Sequence, residues 1–348
     1  MKFSFRVQSL FTYENQESAS AEDASMQAMV RRMRLKSKGY IYDPKFEYKL
    51  ELALSQRDMG SGKDYDQVGS ASKVVLDAVM KYHLGNKNQL WFGQTKLPGN
   101  RERVISSRDL QFVDRSLVNS KFNIDRDFGV QFRSKQEIGS MPLTLAAAVV
   151  TGEGRNIRVD NAKNGLAYVG RVEFYPLGKF TKKGDYYGSD MQREEKAKLA
   201  IGATYSFNQN TNRNGQTGNF IVDTLGNVHT DIQSVFVDMM FKYKGWSVMS
   251  EYAHKQLPDH VTGFTSGEGF VAQLGYLFDN NYELSGRYTS IDEVKSATSS
   301  KQTNEYTLGF SKYIVGHMLK WQTDISYSDV SSSTLGNYRF RFQLEFGI

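Results

Sequence analysis

Apolar and polar side chains alternate one for one along almost the whole chain, and this period constrains the fold more than any other sequence feature. In the closing stretch NYRFRFQLEFGI, Tyr338, Phe340, Phe342, Leu344 and Phe346 take every second position, with Arg339, Arg341, Gln343 and Glu345 between them. A period of two belongs to an extended strand whose two faces meet different surroundings. Phe3, Phe5, Val7, Phe11 and Tyr13 repeat it against Arg6, Gln8 and Thr12. So do Phe46, Tyr48, Leu50, Leu52 and Leu54 against Lys45, Glu47, Lys49 and Glu51. It returns in Leu76, Ala78, Met80, Tyr82 and Leu84, and again in Leu319, Trp321, Ile325 and Tyr327.

The number of such segments, about sixteen, falls within the range of bacterial outer-membrane barrels. Soluble sandwiches, propellers and jelly rolls also alternate. A soluble barrel of this size needs an apolar interior, whereas the intervening residues here are Arg, Lys, Glu and Gln. The apolar face is therefore read as the outer one. The longest apolar run, LTLAAAVV at 143–150, is far short of the roughly 18 residues of a membrane helix. Barrel strands need only about 9–11 residues, half of them polar, so a mean hydropathy of −0.52 is compatible with a spanning protein. The expected fold is all-β: a single transmembrane antiparallel β-barrel over residues 1–348, placed in the outer membrane of a Gram-negative bacterium.

Connection lengths support this reading. Links at 15–28, 57–72, 98–125, 153–163, 208–230, 257–268, 292–303 and 329–336 are long, while YDPK, LGNKN, GSM, YKG, DNN and IVG are short turns. Long external loops opposite short periplasmic turns are the habit of such barrels. The link at 176–195 breaks the pattern and reads as a periplasmic excursion or a miscounted strand. No signal peptide precedes the first alternation, so Met1 is taken as the start of a processed or trimmed chain.

With 44 Lys and Arg against 38 Asp and Glu, the net charge is +6, and its placement matters more than its size. In VRRMRLKSKG, Met33 and Leu35 fix the lipid-facing parity and send Arg32, Arg34, Lys36 and Lys38 to the lumen. A one-residue slip would put all four into lipid at about 2–4 kcal/mol each near the midplane. Arg31 shares the lipid parity and is expected near headgroups or a subunit contact. Closure sets the last strand beside the first, so Arg339, Arg341, Lys2 and Arg6 join those four in a basic wall with few acids opposite. Such a wall focuses an attractive field for anions, and rings of Arg and Lys line anion and phosphate pores. A second concentration, Arg101, Arg103, Arg108 and Arg115, lies in the long link at 98–125 among Val104, Ile105, Leu110, Phe112 and Val113. So apolar a loop must pack somewhere: inward, narrowing the pore, which is the reading taken, or outward over a neighbour.

Other chemistry has little support. Zero cysteines exclude thiol catalysis, iron–sulfur clusters and disulfides. His83, His229, His254, His260 and His317 are scattered, and Glu251 and His254 fall on opposite strand faces, so no metal or other cofactor is expected. GSGKD at 60–64 lacks phosphate-loop spacing. Basic and aromatic residues point to opposite faces, which argues against nucleic-acid binding.

At RRMRLKSKGYIYDPKFEYKLELAL and LDAVMKYHLGNKNQLWFGQTKLPGNRERVISSRDLQFVDRS the chain resembles the phosphate-selective porin O and P family, most strongly over residues 25–135. The resemblance implies a sixteen-stranded barrel, commonly a homotrimer, with a third loop in the lumen and a ladder of arginines and lysines guiding oxyanions. It implies Arg101, Arg103, Arg108 and Arg115 as constriction candidates and Arg32, Arg34, Lys36 and Lys38 as wall candidates. The last strand also resembles the C-terminal signal read by the barrel assembly machinery, although Gly347 and Ile348 follow Phe346. The expected activity is passive, anion-preferring diffusion of phosphate or another small oxyanion, without a cofactor and not as an enzyme. The alternative is a plugged or partner-bound barrel whose basic wall meets a protein segment or lipopolysaccharide phosphate.

Overall fold

The computed structural model describes residues 1–16, 24–59, 74–156, 165–218, 220–223, 226–258, 261, 263–296, 299–331 and 336–348. Sixteen strands close into one antiparallel barrel in which chain neighbours are sheet neighbours. They are β1 (Lys2–Gln16), β2 (Ser25–Ile41), β3 (Asp43–Ala53), β4 (Val75–Gly85), β5 (Asn88–Lys96), β6 (Arg126–Ile138), β7 (Met141–Val150) and β8 (Ala167–Phe174). Then follow β9 (Lys198–Thr211), β10 (Thr230–Tyr243), β11 (Trp246–Gln256), β12 (Ser266–Leu277), β13 (Tyr282–Ser296), β14 (Ser299–Val315), β15 (Leu319–Val330) and β16 (Asn337–Gly347). β1 closes on β16, with Val7 opposite Phe346 and Thr12 opposite Arg341. Closure leaves no strand edge unpaired, which a bilayer demands.

The two parities separate as expected. Phe340, Phe342, Leu344 and Phe346 are exposed on the outside, while Arg341, Gln343 and Glu345 are buried within. At the short-turn end, read as periplasmic, Asn86 and Lys87 both take positive φ (48° and 64°), the turn form that continues a hairpin's twist.

Bulges overturn two of the expected orientations. The β1–β2 register steps from Gln8–Arg32 to Ser9–Val30, so Arg31 is an extra residue and the parity resets around it. Arg31 therefore does not reach headgroups: its Nη2 donates to Asp114 at 2.8 Å inside the barrel. Between Glu51 and Leu52 the β3–β4 ladder skips Leu76, which is buried instead of facing lipid. A further correction concerns 292–303, where β13 runs to Ser296 and β14 starts at Ser299, so strand pairing continues through most of the expected long link.

Two segments reach into the interior. Residues 97–125 join β5 to β6 and carry two short helices, Arg101–Val104 and Leu117–Lys121. Their Leu97, Val118, Phe122 and Ile124 pack with Ala148, Val150, Ala167, Val169, Phe236, Ala253, Val271 and Ile291 of β7, β8 and β10–β13. Residues 175–197, between β8 and β9, are a genuine connection and not a miscounted strand; Tyr175 and Phe180 pack with Ile105, Leu110, Ala200, Met240 and Met249. The inward face is thus partly apolar, contrary to the uniformly polar lumen expected from sequence. Small or apolar inward residues on β7–β13 make room for these two segments.

Candidate functional site

The two inner segments meet each other and one side of the wall. Gly188 N donates to Asp109 O at 2.7 Å, and a Cβ on Gly188 would lie 2.5 Å from Gln111 N, so this approach needs glycine. Glu251 of β11 accepts from Asn100 Nδ2 (2.8 Å) and Glu102 N (3.0 Å). Gln111 Nε2 donates to Ser247 and Glu283, both at 2.8 Å, and Val113 N donates to Asp324 at 3.1 Å. On β10, buried Lys242 gives its ammonium donors to the carbonyls of Gly184, Tyr187 and Ser189 at 2.7, 2.9 and 2.6 Å, which uses all three donors of the group. Each of these groups would be costly to bury unpaired.

Most of the arginines singled out from sequence are ion-paired, because acids arrive from loops and distant strands. Arg6 bonds Ser107 at 2.6 Å and Glu345 at 3.5 Å. Arg32 bonds Gln8 at 2.9 Å and Asp114 at 3.1 Å. Arg34 grips Asp58 at 2.6 and 2.9 Å and Glu51 at 3.2 Å. Arg339 meets Glu305 at 2.6 Å and Glu14 at 3.9 Å, and Arg341 holds Asp324 at 2.6 and 2.9 Å. In the inner segment Arg103 pairs with Asp125 and Arg108 with Asp109 at 3.2 Å. Arg101 is fully buried against Asp238 at 2.6 Å and Glu173 at 3.1 Å. It ties the segment to β8 and β10 and offers no surface to an aqueous path.

Burial opposes the charge on Asp114, but Arg32 and Arg31 outweigh it and hold the carboxyl well below its ordinary range. Arg115 is the exception among the loop arginines. Among the described residues its guanidinium donates to the carbonyls of Glu102 (2.8 Å) and Ile105 (2.7 Å) and to no carboxylate, and burial together with nearby Arg103 and Arg32 holds it well below the usual value. A cleft of about 490 Å³ is lined by Arg31, Arg32, Arg103, Arg115, Arg339 and Arg341 together with the carboxylates of Asp114 and Glu14.

A different group of cations faces the interior from β2–β6. Among the described residues Lys36, Lys38, Lys81, Lys96 and Arg133 have no carboxylate within ion-pair distance. Lys96 Nζ instead donates to the carbonyls of Arg103, Val104 and Ile105 at 2.6, 3.4 and 3.2 Å, tying residues 97–125 to β5. Lys81 and Arg133 lie over the ring of Trp91, 3.9 and 4.3 Å from its centroid. Neither inner segment hydrogen-bonds to Lys36, Lys38, Lys81, Trp91 or Arg133 among the described residues. Sequence reasoning named Lys36 and Lys38 and missed Lys81, Trp91, Lys96 and Arg133. The signal was present, since in KYHLGNKNQLWFG the inward parity carries Lys81, Gln89 and Trp91.

A family model described as phosphate-selective porin O and P matches residues 1–339. An uncharacterized protein of Aquifex aeolicus (strain VF5) is 23% identical over 326 residues, covering 86% of this chain and 75% of that one. The anion-selective porin from Comamonas acidovorans has a similar fold, with TM-score 0.62 at 8% identity, covering 100% of this chain and 99% of that one. OmpT of Vibrio cholerae in its trimer form gives TM-score 0.56 at 10% identity, covering 99% of both chains.

Proposed function

The chain belongs to the phosphate-selective porin O and P family, and from that premise we propose that this outer-membrane porin prefers anions and passes phosphate or another small oxyanion. The observation that carries the reading is the row of inward cations on β2–β6 without carboxylate partners and without bonds to either inner segment among the described residues: Lys36, Lys38, Lys81 and Arg133. An ion pair presents little net field to a passing solute, whereas an uncompensated cation against a low-dielectric wall presents all of its own. In this reading anions enter through the cleft at Arg115, which meets carbonyls and no carboxylate at ion-pair distance among the described residues. They pass the narrowing made by residues 97–125 near Lys96 and leave past Lys36, Lys81, Arg133 and Lys38. Guanidinium suits bidentate capture of an oxyanion at the entrance, and ammonium suits release along a path. Flow follows the concentration gradient. The Comamonas porin, whose fold is shared, is described as anion-selective, and the trimeric form of OmpT supports a homotrimer.

The test is to titrate phosphate into a chloride-filled planar bilayer containing the purified protein. The expected result is a saturable reduction of the chloride current, with sulfate acting similarly. A chloride current indifferent to both oxyanions would remove the oxyanion part of the proposal.

A second reading has its own observation. Two segments fill much of the β7–β15 side and bind each other through Gly188 and Asp109, which suits a plugged or partner-bound barrel. Purified protein that inserts into bilayers but passes no current would favour it.

A further inference from the structure

Trp91 is a large aromatic on the inward parity, among polar residues and away from the lipid-facing set. Across the ladder it stands opposite Lys81 on β4 and Gln131 on β6, and Arg133 stands opposite Gln89. Lys81 Nζ sits 3.9 Å and Arg133 Cζ 4.3 Å from the ring centroid. The partners around them are neutral. The indole Nε1 donates to Gln89 Oε1 at 2.9 Å and Arg133 Nη2 donates to Gln131 Oε1 at 2.9 Å. The nearest acid on the ladder, Glu47, is the cross-strand partner of Lys81, but its carboxylate is turned to His83 Nε2 at 3.1 Å. Donors remain open, since neither Arg133 Nη1 nor Lys81 Nζ makes a hydrogen bond or ion pair among the described residues.

A carboxylate in the place of Trp91 would hold the two cations firmly and cancel much of their field. An aromatic face attracts a cation without neutralising it. It also lays two long side chains against the wall, where they would otherwise sweep the lumen. We propose that Trp91 is a positioning residue that fixes Lys81 and Arg133, with donors left free, to hold a small divalent oxyanion near the short-turn end of the pore. The proposal rests on the anion-pathway reading above and adds to it an aromatic determinant of oxyanion affinity.

The probe is inorganic phosphate, read as block of chloride current in a planar bilayer. Trp91→Leu should raise the half-blocking phosphate concentration roughly fivefold, while Trp91→Phe, which keeps a ring, should stay within about twofold of native. Equal block in native and Trp91→Leu channels would overturn the proposal. A structural role alone would make Phe and Leu equivalent, and that result would overturn it too. A measurement that leaves Trp91 in place guards against a variant that fails to fold. In a Trp246→Phe/Trp321→Phe protein, where Trp91 is the sole indole among the three tryptophans, phosphate should shift the emission saturably, and Lys81→Gln should abolish the shift. Emission indifferent to phosphate would count against the proposal. Cation preference in the native channel would instead sink the anion reading itself, and would be seen before any substitution is made.

Discussion

Lys242 and Lys36 both project inward from barrel strands, and they live in different surroundings. Lys242 is buried and spends its donors on three carbonyls of the 175–197 segment. Lys36 is part-exposed and, among the described residues, neither inner segment bonds to it. The same contrast separates Arg101, locked between Asp238 and Glu173, from Arg133, resting on Trp91. One side of the interior thus uses its cations to hold two segments in place, while on the other Lys36, Lys81 and Arg133 meet neither a carboxylate at ion-pair distance nor an inner segment among the described residues. Inward basic residues are not equivalent, and what distinguishes them is the partner rather than the parity.

The largest expected effect lies on the filled side. Arg101→Met leaves Asp238 and Glu173 with Arg171 as their one ion-pair partner among the described residues, and should cost about 3–5 kcal/mol. Lys242→Met removes three hydrogen bonds but leaves only the Tyr187 carbonyl without a donor among the described residues, because Gly184 O and Ser189 O keep the amides of Tyr187 and Met191, and it should cost about 1–2 kcal/mol. Guanidinium unfolding of the micelle-folded barrel would read both, and Lys36→Gln in the same assay should move stability by no more than about 0.5 kcal/mol. Equal losses on the two sides would break the comparison.

A smaller effect concerns the paired arginines. Arg34→Gln/Asp58→Asn removes both members of a pair and should change the anion-to-cation permeability ratio by less than about 1.5-fold, because a close pair has little net field. Asp58→Asn alone leaves only Glu51 on Arg34 and should raise the ratio slightly. Acid should imitate that variant. Burial favours the neutral form of Asp58, but the hydrogen bond and charge of Arg34 outweigh it and lower the pKa to about 2. A depressed carboxylate stabilises the fold above its ordinary range and loses that contribution as pH falls through its folded value. The tether of the Gln56–Met59 helix should therefore persist through mild acid and fail toward pH 2, as hydrogen exchange of its amides would report.

Much of the barrel was legible because strand parity is a local signal. Phe340, Phe342 and Phe346 needed no knowledge of their neighbours to be placed outward. The bulge that turns Arg31 inward is one inserted residue with no periodic signature. The partners of the arginines lie far off in sequence, as with Arg101 and Asp238, 137 positions apart, so the pairing was invisible without the closed sheet. Residues 175–197 have no strand period, and only their charge and length marked them as unusual. Val104, Ile105, Leu110, Phe112 and Val113 did signal a loop that has to pack, and Ile105, Leu110, Phe112 and Val113 are buried.

The central claim, that the sparsely filled basic side on β2–β6 carries an anion path, is tested most directly by the zero-current potential across a planar bilayer under a salt gradient. It should be measured for the native protein and for Lys36→Gln/Lys81→Gln/Arg133→Gln. The account expects an anion-directed potential in the native channel and a permeability ratio lowered at least about threefold in the triple variant. A cation-directed native potential, or a triple variant indistinguishable from native, would contradict it.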